Sequence, residues 1–207
     1  MALLYASAAK FVAPSNEQHT DGCGTAAPAI SITTTRNSGM TSHKRHIVSI
    51  LLQNEVGALT RVASLFSTRG YNIESLNVAP TDDPTVSRLT VVTSGSEAVV
   101  QQIVNQSLKL IDVVNVDDLT KDQHIERELL LIKLRSPASQ MENLRASIKK
   151  AGARVLSDEA ESFTVELTDS EAQINRFIAE VGSFGDVLEV VRSGALAISR
   201  GATTLRA

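Results

Sequence analysis

Cysteine is almost absent: Cys23 stands alone in 207 residues. An intrachain disulfide is therefore excluded, and nothing points to an oxidising compartment. Tryptophan is missing and aromatics make up 3% of the chain, which argues against a stacking surface for single-stranded nucleic acid. The net charge of −3 argues weakly against a phosphate-backbone partner. No apolar run approaches the ~20 residues that span a bilayer. The four histidines, His19, His43, His46 and His124, do not fall with cysteines or carboxylates at metal-ligand spacing, so no metal site of the chain's own is expected. G-x-S-x-G, Walker, G-x-G-x-x-G and H-E-x-x-H motifs are all lacking. Nothing assembles a nucleophile, a base and an orienting group. These absences describe a binding or regulatory module, not an enzyme.

Apolar residues make up 43% of the chain, enough for one domain or two small ones. Residues 1–43 differ from the rest, being rich in Ala, Ser, Thr, Pro and Gly without periodicity, and are expected to be a disordered extension. A targeting peptide, added sequence, or translated upstream sequence ahead of Met40 would each explain them. From His46 onward, elements alternate. Ile47 to Leu52 reads as a strand, Ala58 to Thr68 as a helix ended by Gly70, and Ile73 to Ala79 as a strand. Thr81-Asp82-Asp83-Pro84 is a turn. Val86 to Thr93, a helix from Ala98 to Leu108 capped by Ser94 or Ser96, and a strand from Ile111 to Leu119 follow. This is β-α-β-β-α-β, the ferredoxin-like unit.

The pattern then repeats. A polar linker is expected at 121–127, with Glu126-Arg127-Glu128 at its solvated edge. Strands are expected at Leu129 to Leu134, Arg154 to Ser157, Ser162 to Leu167 and Val187 to Val191, with helices around Leu144 and Ile178. The fold class is α+β: two ferredoxin-like units at 44–120 and 128–201, with a solvated tail at 202–207. A four-stranded sheet with helices on one face leaves edges that invite pairing, so a homodimer is expected.

The feature with most chemical content is Asn54-x-x-Gly57-x-Leu59, followed by Asn72 after Gly70-Tyr71. A free amino acid carries a carboxylate, which suits the unpaired N–H groups of a helix start around Gly57 and Ala58. Its ammonium suits Asn side-chain oxygens and loop carbonyls. Val56, Ala58, Leu59 and Ile73 would then wall a small aliphatic side chain. The plainer reading is that Asn54 caps the helix and Gly57 eases a turn. Asp82 and Asp83 similarly admit acid–base or Mg²⁺ chemistry on one side and a simple turn on the other.

A resemblance adds to this. LLQNEVGALTRV at 51–62, FSTRGYNIESL at 66–76, VAPTDDP at 78–84, EREL at 126–129, RSG at 192–194 and SRG at 199–201 are together similar to the small regulatory subunits of acetolactate (acetohydroxyacid) synthase. The resemblance covers roughly residues 45–201. It implies that the first unit is an ACT domain and that the chain has no catalysis or cofactor of its own. It implies a partner, the large catalytic subunit, which uses thiamine diphosphate, Mg²⁺ and FAD in branched-chain amino-acid synthesis. It further implies activation of that partner and feedback inhibition by valine, bound between the ACT domains of two chains at Asn54, Gly57 and Asn72. The equivalent loop of the second unit, Arg135-Ser-Pro137-Ala-Ser-Gln, lacks Asn-x-x-Gly, so no effector is expected there. The expected location is the cytoplasm, or an organelle if residues 1–42 are a transit peptide. The alternative is a free-standing amino-acid-sensing ACT protein that controls another enzyme or regulator.

Overall fold

The computed structural model describes residues 44–159 and 162–206. The extension at 1–43, with Cys23 and the Ser/Thr-rich segment, lies outside the described residues. The first unit runs β1 (Lys44–Gln53), α1 (Ala58–Thr68), β2 (Ser75–Pro80), β3 (Val86–Gly95), α2 (Glu97–Ser107) and β4 (Val113–Asp118). Its antiparallel sheet has the order β2-β3-β1-β4. Alternation along β1 explains which face is buried by helices. Val48, Ile50 and Leu52 join Val62 and Phe66 of α1 and Val100, Ile103 and Val104 of α2 in one core. Of the two serines expected as caps of α2, it is Ser96 that acts, its hydroxyl accepting from the Val99 amide.

The second unit repeats the topology with β5 (His124–Arg135), α3 (Met141–Ala151), β6 (Arg154–Asp158), β7 (Phe163–Asp169), α4 (Glu171–Gly182) and β8 (Asp186–Arg192). Its order is β6-β7-β5-β8, around a core that includes Leu130, Ile132, Phe163, Val165, Ile174 and Phe177. The α+β class with two βαββαβ units thus holds.

Two expectations fail, and for related reasons. The polar stretch 121–127 is not a free linker. A 3-10 turn ends at Lys121 and β5 already begins at His124. The segment Glu126-Arg127-Glu128 is not a solvated edge either: Glu128 is 5% exposed. Its carboxylate accepts two hydrogen bonds from Arg192, at 2.9 and 2.6 Å, while Glu126 accepts two from Arg45 at 3.1 and 2.6 Å. Charges that read as linker in sequence are ion-paired across the fold.

The chain after Arg192 turns back onto the first unit, and the expected solvated tail at 202–207 takes part in this. A ninth strand, β9 (Leu196–Ser199), pairs antiparallel with the first residues of β5, from His124↔Ser199 to Arg127↔Leu196. Ala195 and Ala197 then pack with Ile47, Val92 and Leu119, on the face of the first sheet turned away from its helices. The chain end continues over that face. Arg88 donates to the Leu205 carbonyl and Asn115 to that of Arg206. Part of the open sheet face is therefore covered by the chain's own C-terminal residues.

Candidate functional site

Gly57 is the N-cap of α1, at φ 93° and ψ −15°, with no side-chain cap hydrogen bond. A positive φ of this size favours glycine, because any Cβ would crowd the backbone. The Ala58 amide, expected to be open, donates to the Glu55 carbonyl at 3.3 Å, and the Arg61 amide donates to the Gly57 carbonyl at 3.0 Å. Among the described residues the unpaired amides of the helix start are therefore those of Leu59 and Thr60. Asn54 does not cap it. Its side-chain amide donates to the Pro84 carbonyl at 2.9 Å, and its backbone N–H donates to the Thr85 carbonyl at 2.7 Å. Asn54 therefore anchors the β1–α1 loop to the β2–β3 turn, and among the described residues no donor reaches its side-chain oxygen.

Around this point Val56 is fully exposed and Leu59 is 38% exposed, whereas Ala58 is buried. Val56 and Leu59 thus present apolar surface beside a helix start that has no side-chain cap. Two residues that the sequence reading did not single out complete the local structure. Arg61, one turn along α1 from Gly57, grips Asp112 through Nε and Nη2, the latter at 2.7 Å. A Cβ placed on Gly57 would stand 3.1 Å from Arg61 Nη1. The guanidinium thus lies against the glycine's bare face, held there by a buried carboxylate. The hydrogen bond from Arg61 holds the Asp112 carboxyl below its ordinary range and raises Arg61 in turn. The signal in the sequence was weak: Arg61 at i+4 from Gly57 is visible, but its partner lies 51 positions away.

A pH prediction follows from this pair. A carboxylate with a depressed folded pKa contributes stability that is present above its unfolded pKa and is lost as pH falls through the folded value. Asp112→Asn should therefore lower Tm most near neutrality. The gap to the unsubstituted protein should shrink as pH drops below the ordinary carboxylate range. Thermal melts between pH 7 and 3 check this, and a constant gap would mean that the pair does not carry the effect.

Asn72 and Ile73 are placed elsewhere. The Asn72 carbonyl accepts from Thr93 Oγ1 at 2.6 Å, its side chain is exposed, and Ile73 is half-buried against the first core. Between Gly57 and Asn72 lies the whole of α1, 11 residues, or about 16 Å at 1.5 Å per residue. The fold thus collects Asn54, Val56, Gly57, Ala58 and Leu59 at one end of α1. It sets Asn72 and Ile73 at the other end, so the two groups do not meet within one chain.

The aspartates of the β2–β3 connection form a turn. Asp83 Oδ1 accepts from the Thr85 amide and hydroxyl at 2.8 and 2.6 Å, and these bonds hold the Asp83 carboxyl below its usual range. Among the described residues no group of three or more His, Cys, Asp or Glu side chains is placed to hold a metal ion.

Two family models match the chain: an AHAS small subunit-like ACT domain over residues 48–115, and the small subunit of acetolactate synthase over residues 127–201. The chain is 41% identical over 162 residues to the acetolactate synthase isozyme 3 small subunit of Escherichia coli strain K12, covering 78% of this chain and 99% of that one. It is 41% identical over 157 residues to the acetolactate synthase small subunit of Haemophilus influenzae, covering 76% and 96% respectively. Among solved structures, the acetolactate synthase small subunit of Thermotoga maritima aligns with a TM-score of 0.70 at 30% identity, over 77% of this chain and 99% of that chain.

Proposed function

The chain belongs to the family of acetolactate synthase small subunits, and from that premise we propose that it acts as a valine-responsive dimer on its catalytic partner. As the regulatory subunit it is non-catalytic and partners the large subunit. Thiamine diphosphate, Mg²⁺ and FAD are assigned to that subunit, not to this chain. Activation of the large subunit and feedback inhibition by valine are the regulatory role we assign here. No helix among the described residues is long and apolar enough to cross a membrane, and we place the protein with its partner in the cytoplasm.

The observation that carries the dimer is the separation of the site across α1. β2 is an edge strand that pairs with β3, and Val78, Ala79 and Pro80 on it are exposed. Antiparallel pairing of β2 with the β2 of a second copy would set the start of one strand beside the end of the other. Asn72 precedes the start, and the turn that holds Asn54 follows the end. Such pairing supports a site in which the Gly57 helix start of one chain receives the carboxylate. Asn72 of the second copy would then close over the ligand. Val56 and Leu59 supply an apolar rim for a branched aliphatic side chain. Discrimination between valine and ligands one methylene larger should be modest, about 10–200-fold at most.

In the second unit the corresponding loop differs. A 3-10 turn, Ala138–Gln140, precedes α3, Pro137 takes an ordinary φ of −65°, and Ser136 Oγ donates to the Phe184 carbonyl at 2.8 Å. That geometry supports assigning no effector to this half.

Titration calorimetry with valine, leucine and isoleucine tests the proposal, alongside Asn54→Ala. Losing a hydrogen bond to a charged ligand costs ~1.5–3 kcal/mol, so the variant should bind valine about 10-fold or more weakly. No binding of any of the three, with or without the catalytic subunit, would overturn the effector assignment.

A further inference from the structure

Arg45 connects the two units at the end of the ACT sheet where Asn72 lies. Its guanidinium donates twice to Glu126 of β5, and its Nε meets Glu171 at 2.9 Å. Glu171 is the first residue of α4, where the helix dipole also favours its negative charge. On the other side Arg45 feels Glu74, two residues after Asn72, and Ser94, its register partner across β1–β3, bonds Glu74. A second contact runs in parallel. Gly194, at φ 76°, sits so close to β2 that an added Cβ would stand 3.2 Å from Ser75 Cβ. The adjacent Ser193 carbonyl accepts from Asn77 Nδ2 at 3.4 Å. Arg192 of the same turn is clamped to Glu128 and donates to Asn175 of α4 at 2.9 Å. Arg45, Glu74, Ser75, Glu171 and Gly194 all line a polar cleft of about 290 Å³ between the two units.

We propose that this joint, Arg45 with Glu126 and Glu171 beside the Ser75–Gly194 contact, couples effector occupancy at Asn72 and Ile73 to the C-terminal domain. Arg45 is a positioning residue in it and touches no ligand. The inference rests on the reading of Asn72 as an effector residue. Its physical basis is the material of the joint. A packed apolar interface resists sliding, because each displaced side chain loses dispersion contacts. A cleft bridged by ion pairs can exchange partners at smaller cost: Arg45 has within its field the carboxylates of Glu126 on β5, Glu171 on α4 and Glu74, the residue before β2. A displacement of the β2 start on ligand binding changes the Glu74 side of that balance, and the change is felt by α4 through Glu171. Gly194 makes the coupling tight, since β2 cannot move toward the turn without contact. The RSG motif thereby acquires a role: its arginine, serine and glycine hold the turn against β2.

The experiment uses the full chain reconstituted with its catalytic subunit, in Glu171→Gln and Gly194→Ala variants. Valine affinity of the free regulatory subunit is read by calorimetry and holoenzyme activity is read without and with saturating valine. Glu171→Gln removes one charge at a half-exposed position and should fold; a far-ultraviolet spectrum and melt confirm it. The expected result is valine affinity unchanged within about twofold, with the ratio of activities without and with valine reduced about threefold or more. Wild-type inhibition in both folded variants would overturn the joint as the coupling element. Loss of valine affinity itself in Glu171→Gln would also overturn it, by making the residue part of the ligand site. Absence of valine binding by the unsubstituted chain would instead remove the effector reading on which the inference stands.

Discussion

Gly57→Asp should abolish valine inhibition of the reconstituted holoenzyme while leaving activation largely intact. Three effects act in the same direction. The backbone at φ 93° is costly for a residue with a Cβ, by ~1–3 kcal/mol. The new carboxylate occupies the place proposed for the ligand's own and repels it. It also lies against the Arg61 guanidinium, 3.1 Å from the added Cβ, and competes with Asp112 for it. Together they should weaken valine binding by about 100-fold or more, the loss of ~2.7 kcal/mol. Gly57→Ala separates the causes. It carries the backbone strain without the charge, so it should fall between the wild type and Gly57→Asp. Activation is expected to survive because the substituted glycine is at a loop surface and removes no core side chain. Full valine inhibition of the Gly57→Asp holoenzyme would place the effector elsewhere.

The largest loss of stability is expected from Phe66→Ala. Phe66 is 1% exposed, in the last turn of α1, and packs within the first core. Removing a buried phenyl ring costs ~3–5 kcal/mol through lost transfer free energy and the cavity left behind. Its ring also meets Tyr71 edge-on, with centroids 6.1 Å apart and planes at 82°, worth ~0.5–1.5 kcal/mol more. Tyr71 is the residue before Asn72, and its amide donates to the Phe66 carbonyl at 2.9 Å. The substitution should therefore do two things: lower the unfolding free energy by most of the margin of a small domain, and loosen the Asn72 segment. Denaturant unfolding measures the first. Weaker valine binding at a temperature where the variant remains folded measures the second. Phe66→Leu should keep most of the stability, since much of the buried volume is retained. A loss near zero in Phe66→Ala would mean that the core closes over the gap.

The two substitutions also separate what each link of the chain contributes. Gly57 is a matter of local backbone and charge, so its variant is expected to lose ~1–3 kcal/mol to backbone strain but no core packing, and to be deaf to the effector. Phe66 is a matter of packing, and its effect on the site comes through the aromatic contact that steadies the loop. A functional defect with only a modest stability defect thus belongs to the helix start, and a large joint defect belongs to the core beneath Asn72.

Much of this protein was determined by its sequence alone, because the relevant signals are local. Periodicity placed a strand at Ser162 to Leu167, where Phe163, Val165 and Leu167 are buried, and a helix at Ala58 to Thr68, where Val62 and Phe66 are buried. Gly70 was read as a helix end and has φ 68°. The run from Asn54 to Asn72 pointed to an anion receptor, and the GYNIES and APTDDP stretches carried the family resemblance. Tertiary structure alone decided the rest. Glu126 and Glu128 read as solvated linker charges until partners 81 and 64 positions away were brought to them. β9 went unread because it has only four residues, too few for alternation to be legible, and 202–207 read as a solvated tail because its carbonyls meet side chains of distant segments. Asp112 was invisible as a site residue because its partner Arg61 is on another element. Asn54, Gly57 and Asn72 looked like one constellation in sequence, yet the rigid length of α1 holds them apart. A periodic pattern records which face a residue shows to its own element's neighbours. Which charge meets which, and which surface a chain end covers, depends on contacts between distant segments, and no local period encodes those.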